Sequence, residues 1–329
     1  MKRFLCAVLA VIMALSLAGI SSAEWKFDRK ITIICPWGVG GGSDSTLIPM
    51  AELLKGITGQ EVEILNVTGG GGVIGADYAY KQPADGYTYV LATQTTFIFD
   101  IQRALSMNFR EEFVPVARLV HATNVIAASK RFMELNGFKT FSDIMKDIKE
   151  HPYRVKAGMF TSAGVDGISL RETLKGLSVL DVDYSSGAEM NAQLVAGNID
   201  LVITGTSEIK GLIATGEAVP VLALSEKRMR IYPDVECSVE LGINSVLGPA
   251  RGIFAKKGTP QEAIDALAGA IAKATQDSKW QAFLTEGAYD ERAGFAGSAE
   301  YASDCEKDYK LLGEYLNTEG AMNSEMKDY

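Results

Sequence analysis

Residues 30–55, KITIICPWGVGGGSDSTLIPMAELLK, contain the unit from which the whole fold is predicted. Residues 30–35 are a short apolar run rich in β-branched side chains, which predicts a strand, and residues 45–55 have the pattern of a helix. The junction between them, residues 36–44, holds three consecutive glycines that let backbone N–H groups approach a ligand closely. A helix N-terminus favours an anion, so this junction suits a negatively charged group. Asp44 has a structural alternative as an N-cap or first-turn acid.

The same strand-to-helix unit repeats along the chain. Strands are predicted at residues 61–67, 88–93, 154–159, 181–184, 199–204 and 219–224, and helices at 73–81, 168–174, 189–196 and 208–214. Thr140 with Asp143, and Thr259 with Glu262, have the spacing of helix capping pairs. Repeated βα units predict α/β architecture, and 329 residues suit two lobes better than one core. Two apolar runs, residues 114–129 and 252–255, are interpreted as crossings between lobes beside a cleft.

Composition limits the functional classes. The net charge of −9 argues against nucleic-acid binding, and two histidines with no CxxC or HExxH spacing leave little material for a metal site. Gly70, Gly72 and Gly75 match GxGxxG, but the next strand lacks the acidic residue that would bind a ribose. No GxSxG or GxxxxGK[ST] motif occurs. We therefore expect neither a cofactor nor a metal.

The N-terminus predicts export. Lys2 and Arg3 precede an apolar run at residues 4–20 and the small residues 21–23, so residues 1–23 are interpreted as a signal peptide. The mature chain then begins at Glu24 in the periplasm with a net charge of −11. It keeps three cysteines, for which burial as free thiols is favoured, while a Cys237–Cys305 disulfide stays open.

Three further junctions follow predicted strands and could contact the same ligand. They are the glycine-rich segment 66–75, the hydroxyl cluster at 93–96 and the segment 158–166. In open α/β sheets ligands bind beyond the carboxyl ends of the strands, which brings such junctions together. Helix capping by Ser162 or Asp166 is the structural alternative for the last one.

The chain resembles the solute-binding proteins of tripartite tricarboxylate transporters, the Bug family, at residues 36–44, 66–72, 84–88, 113–118, 187–200, 225–228, 233–235 and 257–260. The resemblance implies a type II periplasmic-binding-protein fold with two lobes, each a mixed sheet flanked by helices, and a ligand cleft between them. We place the discontinuous first lobe at residues 24–122 and 253–329 and the second at 123–252.

The resemblance also implies a small carboxylate ligand, delivery to the membrane subunits of such a transporter, a monomer, and no nucleic-acid partner. By the same resemblance the ligand contacts are Trp37, Gly40, Gly41, Gly42, Ser43, Asp44, Asn66, Gly69, Gly70, Gly71, Gly72, Thr93, Thr95, Thr161, Ser162 and Ala163. The alternative is an exported enzyme acting on a small carboxylate in the same cleft.

Overall fold

The strands form two separate mixed sheets in a computed structural model that describes residues 25–318. The predicted signal peptide at 1–23 lies outside the described residues. The strands are β1 (Ile31–Cys35), β2 (Val62–Asn66), β3 (Thr88–Ala92), β4 (Phe113–His121), β5 (Asn124–Ser129), β6 (Lys156–Met159), β7 (Leu180–Asp183), β8 (Leu201–Gly205), β9 (Ala218–Ala223), β10 (Ala250–Lys256) and β11 (Ala296–Gly297).

Both sheets are built on the same plan. In the first, ordered β11-β4-β10-β3-β1-β2, β1 pairs in parallel with β2 and β3, and β10 runs antiparallel between β3 and β4. In the second, ordered β7-β6-β8-β5-β9, β6 pairs in parallel with β7 and β8, and β5 runs antiparallel between β8 and β9. The predicted class, two lobes with mixed sheets, is confirmed.

Helices cover both faces of each sheet. They are α1 (Gly42–Thr58), α2 (Val73–Tyr80), α3 (Gln94–Ile101), α4 (Phe109–Glu112), α5 (Lys130–Asn136), α6 (Phe141–Glu150), α7 (Val165–Leu174), α8 (Gly187–Ala196), α9 (Thr206–Ala214), α10 (Gln261–Ala274), α11 (Ser278–Glu286) and α12 (Ser298–Thr318). In the first sheet, Ile33 packs with α1 and α10 on one face, and Ile34 packs with α3 and α12 on the other. Burial on both faces explains why the parallel strands are continuously apolar.

The starts of α6 and α10 test the two capping pairs that were predicted from residue spacing. At α6 the Thr140 hydroxyl accepts a hydrogen bond from the Asp143 N–H at 3.2 Å, and Asp143 accepts from the Thr140 N–H, so the predicted capping box is confirmed. The prediction for Thr259 is wrong. The N-cap of helix α10 is Pro260, so Thr259 lies one position before the cap. The buried Thr259 hydroxyl has no hydrogen-bond partner among residues 25–318.

The chain passes between the two sheets twice. β4 ends at His121 in the first sheet and β5 begins at Asn124 in the second, so residues 122–123 make one crossing. The chain returns to the first sheet with β10, which begins at Ala250, so residues 250–252 pair within the first sheet although the predicted lobe boundary lies after residue 252. Within residues 25–318 no helix has the length and apolar character needed to cross a bilayer. The three cysteines of this range, Cys35, Cys237 and Cys305, are buried free thiols.

Candidate ligand-binding cleft

A cavity of about 50 Å³ lies between the two sheets, where the carboxyl ends of β1, β3, β6 and β8 face one another. A cavity of this size suits a small ligand. Seven of the predicted site residues line it: Trp37, Gly41, Gly42, Ser43, Thr93, Thr95 and Thr161. The convergence of the strand ends is the arrangement in which open α/β sheets bind ligands.

The remaining residues of the first junction hold its shape. The buried Asp44 carboxylate accepts hydrogen bonds from the Gly40 N–H at 2.9 Å and from Asn66 Nδ2 at 3.0 Å. The same Asn66 nitrogen donates to the Trp37 carbonyl at 2.9 Å. Asp44 and Asn66 therefore fix the loop that follows β1. Helix α1 begins at Gly42 rather than at the predicted residue 45, so the last glycine of the triplet is its first helical residue.

The second glycine-rich junction supports the cavity lining through its backbone. All four residues Gly69, Gly70, Gly71 and Gly72 have positive φ, a conformation that other residues rarely adopt. A methyl group on Gly71 would lie 2.9 Å from the Phe99 ring, and one on Gly72 would lie 3.2 Å from the Trp37 ring. The junction is thus packed closely against Phe99 and against Trp37, of which Trp37 lines the cavity. Direct ligand contact by these four glycines stays a prediction.

The second lobe contributes Thr161 to the cavity, while its neighbours have other partners. The Ser162 N–H and hydroxyl both donate to Asp183, at 2.7 and 3.1 Å, and the Ala163 N–H donates to the Thr161 hydroxyl at 3.4 Å. Gly164, rather than Ser162 or Asp166, is the N-cap of α7. The Val165 N–H donates to the Thr95 hydroxyl at 3.2 Å. This hydrogen bond joins the two lobes directly.

An ion pair between the lobes crosses the cleft and was missed by the sequence analysis. Arg251 Nη2 lies 2.8 Å from Glu208 Oε1, and the two side chains are only 4% and 7% exposed. Arg251 is on β10 and Glu208 on α9. Because β10 is antiparallel to β3, its first residues lie beside the carboxyl end of β3 and thus reach the cavity. The signal in the sequence that could have indicated this cation was Arg251 itself, which directly precedes the apolar run at residues 252–255.

Arg251 has further contacts in the first lobe. Its Nε donates to the Ser43 hydroxyl at 3.4 Å and its Nη1 to the Tyr289 hydroxyl at 3.4 Å. Burial raises the pKa of Glu208, and the nearby guanidinium opposes that shift. An arginine keeps its proton in proteins, so Arg251 is a fixed buried cation in the cleft.

Asp166 is a second acid in the cavity. Its Oδ1 accepts a hydrogen bond from Asn124 Nδ2 at 2.9 Å, and the Phe160 N–H also donates to this carboxyl. Burial, together with the charge of Glu208, raises the pKa of Asp166 from its ordinary value of 3.8 to about 7. The cavity thus combines one cation, two acidic side chains and several hydroxyls.

Two α/β lobes between which the chain crosses twice, with a small polar cavity between them, define a two-lobed solute-binding protein. The model of the tripartite tricarboxylate transporter family receptors, TctC, matches residues 49–319. The chain therefore belongs to this family, which confirms the resemblance drawn from its glycine-rich junctions.

Individual relatives agree with this assignment. A UPF0065 protein of Bordetella pertussis is 28% identical over 285 residues, which is 84% of this chain and 85% of that protein. A solved periplasmic transporter superposes with a TM-score of 0.81 at 24% identity, covering 90% of this chain and 98% of its own. MatC from Rhodopseudomonas palustris with bound malate gives 0.78 at 22% identity, covering 88% and 99%. At these identities the two structures show the shared fold.

Proposed function

We propose that this chain is an extracytoplasmic solute-binding protein that captures a small carboxylate between its lobes and delivers it to the membrane subunits of a tripartite tricarboxylate transporter. The observation that carries the proposal is the glycine-rich N-terminus of α1, which lies with the Ser43 hydroxyl at the cavity between the lobes. Amides at a helix N-terminus favour an anion. The malate bound to MatC is a small carboxylate in a protein of the same fold.

Residues 1–23 are proposed to be the signal peptide that sends the protein to the periplasm, where it acts as a monomer. The basic start, apolar run and small residues at 21–23 support this part of the proposal. The first contacts to the ligand are assigned to Gly41, Gly42, Ser43, Thr95 and Thr161, which line the cavity.

Binding rather than catalysis is proposed because the Ser43 and Thr95 hydroxyls, which line the cavity, have hydrogen-bond partners that cannot act as a base. Ser43 Oγ lies 3.4 Å from Arg251 Nε, and a guanidinium does not accept a proton. The Thr95 hydroxyl accepts a hydrogen bond from the Val165 N–H. A nucleophilic hydroxyl needs a neighbouring base, which neither of these contacts provides.

The test is to express residues 24–329, identify any co-purified small molecule by mass spectrometry, and screen carboxylates by thermal shift. A carboxylate that raises the melting temperature and is recovered unchanged is the expected result. If no carboxylate shifts the melting temperature, the proposed ligand class is wrong. If the recovered compound is chemically altered, the enzyme alternative is correct.

A further inference from the structure

We infer that the cleft accepts a monocarboxylate whose other end carries a hydrogen-bond donor, neutral or cationic, and that it discriminates against dicarboxylates. This inference rests on the proposed function and narrows its ligand class. Glu208 is the specificity-determining residue, since its carboxylate already occupies the positions on Arg251 and α1 that a second ligand carboxylate would need.

The first step concerns the hydrogen bonds of Glu208. Its Oε1 lies 2.8 Å from Arg251 Nη2, its Oε2 accepts from the Thr204 hydroxyl at 3.2 Å, and the Gly42 N–H also donates to this carboxylate. Gly42 is the first residue of α1, so Glu208 reaches the positive end of that helix from the opposite lobe. The Glu208 carboxylate therefore already pairs with the Arg251 cation and with the Gly42 amide at the N-terminus of α1.

The second step concerns charge. Among residues 25–318, the charged side chains that line the cavity are Arg251, Glu208 and Asp166. The first two cancel, and Asp166 adds either a negative charge or a neutral carboxyl. One ligand carboxylate can be bound by amides and hydroxyls at the α1 junction. A second would bring a further negative charge into a buried site that has no cation left to pair with it, which is unfavourable.

The third step concerns the distal group of the ligand. Asp166 is buried, and its Oδ1 already accepts from Asn124 Nδ2 at 2.9 Å. In its ionised form the Asp166 carboxylate only accepts hydrogen bonds, so the ligand group that complements it is a donor such as an amide, a hydroxyl or an ammonium. A cationic donor also compensates the excess of acidic side chains in the cavity.

The experiment uses the wild-type protein and ligands of matched skeleton at pH 7.5. For four carbons these are butyrate, succinamate, 4-aminobutyrate and succinate, and equivalent sets are made for three and five carbons. Calorimetry is expected to show that the amide or ammonium ligand of one set binds at least tenfold more tightly than its dicarboxylate. Equal or tighter binding of the dicarboxylate in every set overturns this inference and leaves the proposed function intact. If no ligand of any set binds, the proposed function is overturned as well.

Glu208→Gln tests the assigned residue, because it removes the charge and preserves the shape. Freed from its partner, Arg251 should pair with a second ligand carboxylate, so the affinity for the dicarboxylate should rise at least tenfold. Glu134→Gln is the matched control, since Glu134 lies on α5 with its side chain 66% exposed beside Lys130. An unchanged affinity ratio in folded Glu208→Gln overturns the role of Glu208. If the variant does not fold, the wild-type ligand sets decide the question.

Discussion

At the scale of single residues, Gly42 is the position where helix α1 contacts the Arg251–Glu208 ion pair of the cleft. A methyl group at Gly42 would overlap Arg251 Nη2 and Glu208 Oε1, whereas one at Gly56 of the same helix meets nothing within 4 Å. In a helix interior alanine is more stabilising than glycine by about 0.5–1 kcal/mol, so Gly56→Ala should be neutral or stabilising. Gly42→Ala should instead lower the free energy of unfolding by about 1–3 kcal/mol and weaken ligand binding at least tenfold. Chemical denaturation and calorimetry on both variants check this, and equal behaviour of the two would contradict it.

Asp166 provides a prediction on pH at the same scale. Its pKa is about 7 in the folded protein against an ordinary value of 3.8, so the folded state binds a proton that the unfolded state releases. Below about pH 4 the Asp166 carboxyl is protonated in both states and burying it carries no charge penalty. The free energy of unfolding of the wild type should therefore fall progressively as the pH rises through 7. The full effect is up to about 4 kcal/mol.

The measurement compares unfolding free energies of wild type and Asp166→Asn from pH 4 to pH 8. The variant should gain on the wild type as the pH rises, because asparagine carries no charge to bury. Asp265→Asn, which removes an exposed carboxylate on α10, controls for the loss of a surface acid. A difference that stays flat with pH would show that the Asp166 carboxyl titrates normally.

At the scale of elements, the two threonines with capping spacing should behave differently. Thr140 caps α6 through its hydroxyl, so Thr140→Ala should cost about 1 kcal/mol of stability. The Thr259 hydroxyl is buried without a partner, so Thr259→Ala should cost little or be stabilising. Thermal and urea denaturation of both variants would test the contrast, and a larger loss for Thr259→Ala would refute it.

The elements themselves were largely predictable, because strand and helix patterns are local. The prediction for residues 30–35 differs from β1 by one residue, and the glycine at 197 ends α8 in the left-handed conformation with φ of 74°. The charges of the cleft were not predictable. Arg251 and Glu208 are 43 residues apart in the chain, and only the antiparallel placement of β10 and the approach of the lobes bring them together. The capping role of Thr259 was also mispredicted, because the N-cap of α10 is Pro260, one residue further along the chain.

At the scale of the whole molecule, ligand binding should favour the closed arrangement of the lobes. The Thr95–Val165 hydrogen bond and the Arg251–Glu208 pair both span the cleft, so they exist only when the lobes are close. A ligand held from both sides shifts the population toward that state. At one hundred times its dissociation constant it should add about 2.7 kcal/mol to stability.

Small-angle scattering should show a smaller radius of gyration for the liganded protein. The ligand-free curve must first be compared with that calculated for the closed structure, since a protein that is already closed cannot contract. Unchanged scattering from a ligand-free protein that does not match the closed structure would contradict hinge closure. Thr95→Ala should increase the radius of gyration of the ligand-free protein, because it removes the hydrogen bond from the Val165 N–H that joins the lobes.

The position of β10 also sets the order in which the chain can fold. β10 lies between β3 and β4, yet the whole second sheet, from β5 to β9, separates it from β4 along the chain. Contacts between residues far apart in sequence form slowly, because a long loop must close first. The second lobe, whose strands are contiguous from residue 124 to 223, should therefore gain protection from hydrogen exchange before the first lobe. Until β10 is inserted, β3 and β4 keep unpaired strand edges, so the newly made protein is most exposed to aggregation and proteolysis in its first lobe.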